Sequence, residues 1–152
     1  MSGGIKVMIV EDDDAVRDGL HILIDGSDGY ECIAACPTAE EALSIIPQNF
    51  PQVVLMDINL PGMNGIECVV GIKNMWPEIQ VMMLTVFDNT EEIFKSLTAG
   101  ATGYLLKKTQ PAKLLEAITE LVNGGSPMSG EIARKVVQTF ARPVNHHFPE
   151  AN

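Results

Sequence analysis

Five short apolar runs, each followed by a stretch with helical spacing, constrain this chain more than any other feature. The runs are Ile5 to Val10, Glu31 to Ala35, Val53 to Met56, Ile79 to Leu84 and Gly103 to Leu106. Between and after them apolar residues recur three and four apart: Val16, Leu20 and Leu23; Ala42, Leu43 and Ile46; Ile66, Val69 and Val70; Ile93 and Leu97; Leu114, Leu115, Ile118, Leu121 and Val122. A nearly continuous apolar run is a strand buried on both faces, and five alternations of strand and helix imply a parallel sheet covered by helices on both sides. The punctuation agrees. An Asp is available to cap the first helix, Thr38-Ala39-Glu40-Glu41 reads as a capping box, and Asp88 with Glu91 is a candidate cap for the fourth helix. Gly100 closes that fourth helix, and Pro111 suits the first turn of the fifth.

Polar residues interrupt this pattern at strand ends. Glu11 and Asp12 follow the first run, Asp57 the third, Thr85 the fourth and Lys107 the fifth. In a parallel sheet those ends share one edge, where open α/β sheets form their ligand crevice. Three carboxylates meeting there repel one another, and a hard divalent cation resolves the repulsion; all-oxygen ligands suit Mg²⁺. Asp57 then becomes an oxygen nucleophile for a phosphoryl group, Lys107 a mobile positive charge and Thr85 a hydroxyl donor for the phosphoryl oxygens.

Composition removes several alternatives. At 152 residues with a formal net charge of -10, the chain has the size of one domain and lacks the clustered Lys and Arg that nucleic acid or an anionic membrane would need. No apolar run approaches the roughly 20 residues of a membrane span, and Ile5 to Val10 is too short for a signal peptide. Cys32, Cys36 and Cys68 show no metal or disulfide pattern and read as small core residues of a cytoplasmic protein. Asp13 and Asp14 read as helix N-terminal acids, and His21, His146 and His147 have no ligand spacing.

Ile9-Val10-Glu11-Asp12 with Arg17, Met56-Asp57-Ile58-Asn59-Leu60-Pro61 with Gly65, Leu84-Thr85 and Gly103-Tyr104-Leu105-Leu106-Lys107 occur in the order and spacing of one known family. As a set they resemble the receiver domain of bacterial two-component response regulators, over roughly residues 5–125. The resemblance implies a flavodoxin-like, doubly wound five-stranded parallel sheet in the order 2-1-3-4-5, a topology for which a protein of this family is a standard example. It also implies roles. Asp57 matches the phosphoacceptor and Asp12, with Glu11 behind it, the Mg²⁺-binding acidic pair. Asn59 matches the position whose carbonyl ligates the metal, and Thr85 and Lys107 the residues that hold the phosphoryl group. Tyr104 matches the aromatic switch that turns inward when Thr85 is drawn toward the phosphate. The implied donor is a sensor histidine kinase, and a homodimer on phosphorylation is compatible with the family. Two positions depart from the family pattern. Lys108 stands where Pro is frequent, so a cis Lys107–Lys108 bond would cost about 2.5–4 kcal/mol. Glu11 replaces the first aspartate, and its longer arm is expected to reach a metal through water.

Gly124-Gly125-Ser126-Pro127-Met128-Ser129 and Ile132-Ala133-Arg134-Lys135-Val136 resemble the junction after the receiver in NarL/FixJ-type transcription factors. We therefore expect a receiver over 1–125, a linker helix over 126–142 leading toward an output domain that is missing here, and a disordered tail over 143–152. The apolar stripe Ile132, Val136 and Phe140 either docks on the receiver or forms an interface. The implied function is a phosphorylation-switched signalling receiver controlling transcription through a DNA-binding domain outside this chain. A stand-alone regulator is one alternative. A Mg²⁺-dependent phosphohydrolase is another, but enzymes of the haloacid dehalogenase type place a second aspartate where this chain has Asn59, and a flavin or nucleotide site would want glycines where it has Glu11 to Asp14. The expected protein is thus no enzyme beyond its own phosphorylation and dephosphorylation.

Overall fold

In a computed structural model the described residues are 4–141, and they form a sheet with helices on both faces. The strands are β1 (Ile5–Val10), β2 (Tyr30–Cys36), β3 (Val53–Met56), β4 (Gln80–Thr85) and β5 (Gly103–Leu106). The helices are α1 (Asp14–Asp25), α2 (Ala39–Ile45), α3 (Gly65–Met75), α4 (Thr90–Ala99), α5 (Pro111–Val122) and α6 (Gly130–Ala141). All strand pairs are parallel, as the alternating pattern implies, and the order is β2-β1-β3-β4-β5, as the resemblance implies. The tail expected over 143–152, with His146 and His147, lies outside the described residues.

Successive strand residues point to opposite faces, so each strand feeds two cores. Met8, Val10, Val54, Met56, Val81, Met83, Tyr104 and Leu106 pack with residues of α2, α3, α4 and α6. Val7, Ile9, Val53, Leu55, Met82, Leu84 and Leu105 pack with α1 and α5. Strands β3 and β5 are buried at every position, which is why they read as unbroken apolar runs. The three cysteines are free and buried. Among the described residues no helix is long and apolar enough to cross a membrane.

Local details correct several expectations. Asp13 caps α1, its side chain accepting the Val16 N–H, but the deepest α1 residue is Ile24; Val16, Leu20 and Leu23 are only partly buried. Thr38 accepts the Glu41 N–H, so only half of the expected capping box forms. The complete box is at α3, where the Asn64 side chain accepts the Glu67 N–H at 2.9 Å and Glu67 accepts the Asn64 N–H at 3.0 Å. Asn64 read simply as a turn residue because a glycine follows it. Asp88 does not cap α4: the N-cap is Asn89, without a side-chain bond, and Asp88 is drawn toward α6 instead, its carbonyl accepting from Lys135 Nζ at 2.6 Å. Val70, expected inside, is exposed, because Cys68, Val69 and Ile72 already fill the α3 inner face. The Lys107–Lys108 bond is trans, as are all described peptide bonds.

Candidate active site

Strand register carries the polar residues to one rim. Val10 is opposite Met56 and Met56 opposite Met83. The ladder continues one residue further: the Glu11 N–H donates to the Cys36 carbonyl at 3.0 Å, the Asp57 N–H to Val10 at 3.1 Å and the Lys107 N–H to Thr85 at 2.9 Å. Glu11, Asp57, Thr85 and Lys107 are thus fixed by backbone before any side-chain contact is made.

Their side chains then converge. Lys107 Nζ lies 2.7 Å from Glu11 Oε1 and 2.9 Å from Asp57 Oδ2, bridging the two carboxylates. The other Asp57 oxygen, Oδ1, accepts the Ile58 N–H at 2.8 Å. Glu11 and Asp57 are nearly inaccessible, at 2% and 5% exposure, whereas Asp12 stands exposed at the mouth. Burial raises the Glu11 carboxyl above its ordinary pKa, outweighing the hydrogen bonds from Lys107 and the Asp13 N–H. Burial works against the charge on Lys107, but hydrogen bonds to Glu11 and Asp57 overcome it and raise its pKa. The site therefore stores a cation beside two carboxylates in a partly dry setting, where charge interactions are strong.

One carboxylate oxygen from each of Glu11, Asp12 and Asp57 lies within 4.8 Å of the others. This donor set is all oxygen, partly buried and open to water at Asp12, and so fits a hard divalent cation such as Mg²⁺.

Thr85 is fully buried, its Oγ1 accepting from the Phe87 N–H at 3.4 Å. Tyr104 is not at the rim. It is 0% exposed, inside the core beneath α4, and its hydroxyl donates to the Phe87 carbonyl at 2.8 Å. Burial pushes that hydroxyl's pKa up, with the negative charges of Glu92, Asp88 and Asp57 adding to the effect. Phe87 thus links Thr85 and Tyr104 through its backbone. Asn59 sits exposed in the loop after β3, two residues past Asp57.

Three contributors had no assigned role in the sequence. Arg17 donates from its guanidinium to the Glu11 carbonyl at 2.9 Å and to Asp14 at 2.6 Å, pinning the loop that carries Glu11 and Asp12. Glu40 accepts the Met63 N–H at 2.9 Å across 23 residues, stapling the loop that carries Asn59. Phe87 works through its backbone groups. Backbone-directed contacts of this kind leave no residue-type signature. Only Arg17, spaced about one helical turn past the acids, offered a hint.

Comparison with known proteins identifies the family. The family model for the response regulator receiver domain matches residues 7–119. The chain is 30% identical over 138 residues to a nitrate/nitrite response regulator protein homolog of Haemophilus influenzae, covering 91% of this chain and 66% of that protein. It is 33% identical over 138 residues to the transcriptional regulatory protein LnrK of Bacillus subtilis, covering 91% and 63%. A crystal structure of a LuxR-family two-component response regulator from an Aurantimonas species superposes with a TM-score of 0.85 at 31% identity, covering 91% of this chain and 99% of that one. The chain spans less than two thirds of the length of both of these curated relatives.

Proposed function

The chain belongs to the response regulator receiver domain family, and from that premise we propose that Asp57 accepts a phosphoryl group from a sensor histidine kinase in the cytoplasm and that the modification switches an output. The observation that carries this reading is the Lys107 ammonium held between Asp57 and Glu11 at a rim where a third carboxylate, Asp12, also points. In the transfer the Asp57 carboxylate attacks phosphorus, an O–P bond forms, and the N–P bond of the phosphohistidine breaks with its electron pair returning to the imidazole nitrogen. Dephosphorylation is the attack of water on the same phosphorus, releasing inorganic phosphate.

The chain's own residues divide this work. Glu11, Asp12 and Asp57, with the carbonyl of Asn59, would hold a Mg²⁺ ion, which neutralises phosphoryl oxygens when bound. Lys107 swings from Asp57 to those oxygens, replacing one anionic partner by another, and the Thr85 hydroxyl donates to them. Moving Thr85 shifts the segment through Phe87, and Tyr104 registers the shift. A surface near α4 and α5 then changes its preference among partners. The relatives named as transcriptional regulators support an output in transcription, exerted through a DNA-binding portion outside this chain, and a homodimer formed on phosphorylation fits the same scheme.

The test is titration of the protein with beryllofluoride in the presence of Mg²⁺, followed by amide chemical shifts. Saturable shifts at Thr85, Phe87 and Lys107 that disappear in Asp57→Asn are expected. Unshifted resonances, or shifts retained in the variant, contradict the reading.

A further inference from the structure

Beyond α5 the chain returns to the open side of β5. The Tyr104 N–H donates to the Pro127 carbonyl at 2.9 Å and the Ser129 N–H to the Tyr104 carbonyl at 3.1 Å, a one-residue parallel bridge between Tyr104 and Met128. Ser129 Oγ then accepts the Leu106 N–H at 3.0 Å. The outward backbone groups of Tyr104 and Leu106, which an edge strand would otherwise leave unpaired, are taken by this segment. Gly103 makes the approach feasible: a Cβ there would lie 3.2 Å from the Pro127 carbonyl oxygen and 2.9 Å from Met82 Cγ. Next, α6 lies beside α4. Ile132 is 0% exposed in the core cluster that holds Tyr104, with Met128 and Val136 packed against it. Lys135 reaches the Asp88 carbonyl, Phe140 meets Phe94 edge to face at 6.2 Å, and Lys108 pairs with Glu131 at 2.7 Å.

The residue whose backbone this segment holds is Tyr104, fully buried, whose hydroxyl reaches the Phe87 carbonyl next to Thr85. Ile132 belongs to the same core cluster as the Tyr104 ring, with Met128 and Val136 packed against it, so an outward swing of the ring would take it out of the core to which this segment contributes. We infer that the segment Pro127–Ala141 is an internal clamp that holds Tyr104 inward, so that docking of this segment and modification of Asp57 favour each other. The inference rests on the phosphoacceptor reading of Asp57. Linkage makes the effect reciprocal: a clamp that favours the inward Tyr104 tightens the phosphorylated state, and a phosphoryl group at Asp57 tightens the clamp. A segment that merely covered a sheet edge would be indifferent to Asp57.

The experiment uses the full chain with Mg²⁺ and beryllofluoride as phosphoryl mimic. In the wild type, hydrogen exchange of the Tyr104, Leu106 and Ser129 amides slows when the mimic binds; unchanged or faster exchange overturns the clamp. Two variants loosen the segment, Ile132→Asp strongly and Ser129→Ala mildly. Ile132→Asp is expected to weaken beryllofluoride binding by about fivefold or more, the low end of ordinary coupling, with Ser129→Ala in between. Equal affinity in all three proteins overturns the clamp while leaving the phosphoacceptor reading intact. Failure of the wild type to bind the mimic defeats the phosphoacceptor reading, and the clamp with it.

Discussion

Gly65 is pressed against the backbone of Asp57: a Cβ at position 65 would stand 1.9 Å from the Asp57 carbonyl oxygen and 2.8 Å from its carbonyl carbon. No real Cβ tolerates that approach, so the start of α3 can sit this close to Asp57 only because residue 65 has no side chain. The Gly65 N–H also donates to the Ile58 carbonyl at 2.8 Å, closing the loop that holds Asp57 in place.

Gly65→Ala must therefore displace backbone. We expect it to destabilise the fold by about 1–3 kcal/mol, the usual cost of overpacking, measured by urea unfolding. A variant as stable as the wild type would show that the contact relaxes freely.

The complete capping box at α3 and the half box at α2 differ in what they satisfy. Both Asn64→Ala and Thr38→Ala are expected to cost about 0.5–2 kcal/mol, with Asn64→Ala the larger, since its box also secures the loop behind Asp57. Thermal unfolding of the two variants checks the ranking.

Burial pushes the thiols of Cys36 and Cys68 up to about 12 and that of Cys32 to about 11, from an ordinary 9.0. The folded chain thus keeps protons that the unfolded chain loses. Below pH 9.0 the thiols do not affect stability; between there and about 12 the folded state binds more protons, so stability falls as pH rises. At pH 8 the native thiols should resist alkylation and react only on unfolding, as intact-mass measurement would reveal.

Asp12 is the exposed member of the carboxylate set, with Glu11 and Asp57 buried behind it. Asp12→Asn should weaken Mg²⁺ binding by about tenfold or more, since even partners that only orient a metal's ligands are worth about that much, at little cost to folding. Calorimetric titration decides it, and unchanged affinity would remove Asp12 from the metal site.

Much of this was legible in the sequence because it rests on periodicity. Unbroken apolar runs announce strands buried on both faces, and Glu11, Asp57, Thr85 and Lys107 stand out as polar residues ending them. What escaped was set by neighbours distant in sequence. Asp88 looked like a cap but is engaged by Lys135, 47 residues on. Glu40 looked like helix punctuation but staples Met63. The role of Ser129 depends on the unpaired amide of Leu106, which no pattern in 126–129 encodes. The apolar stripe of α6 left docking and interface open, and the structure divides it, burying Ile132 and half-burying Val136 while Phe140 stays exposed.

The central claim, that the side chain at 57 takes up the phosphoryl group, is tested most directly by intact-mass analysis after incubation with acetyl phosphate and Mg²⁺. The wild type should gain a single phosphoryl group that hydroxylamine removes, and Asp57→Asn should gain none. An unmodified wild type, or a variant modified to the same extent, would contradict it.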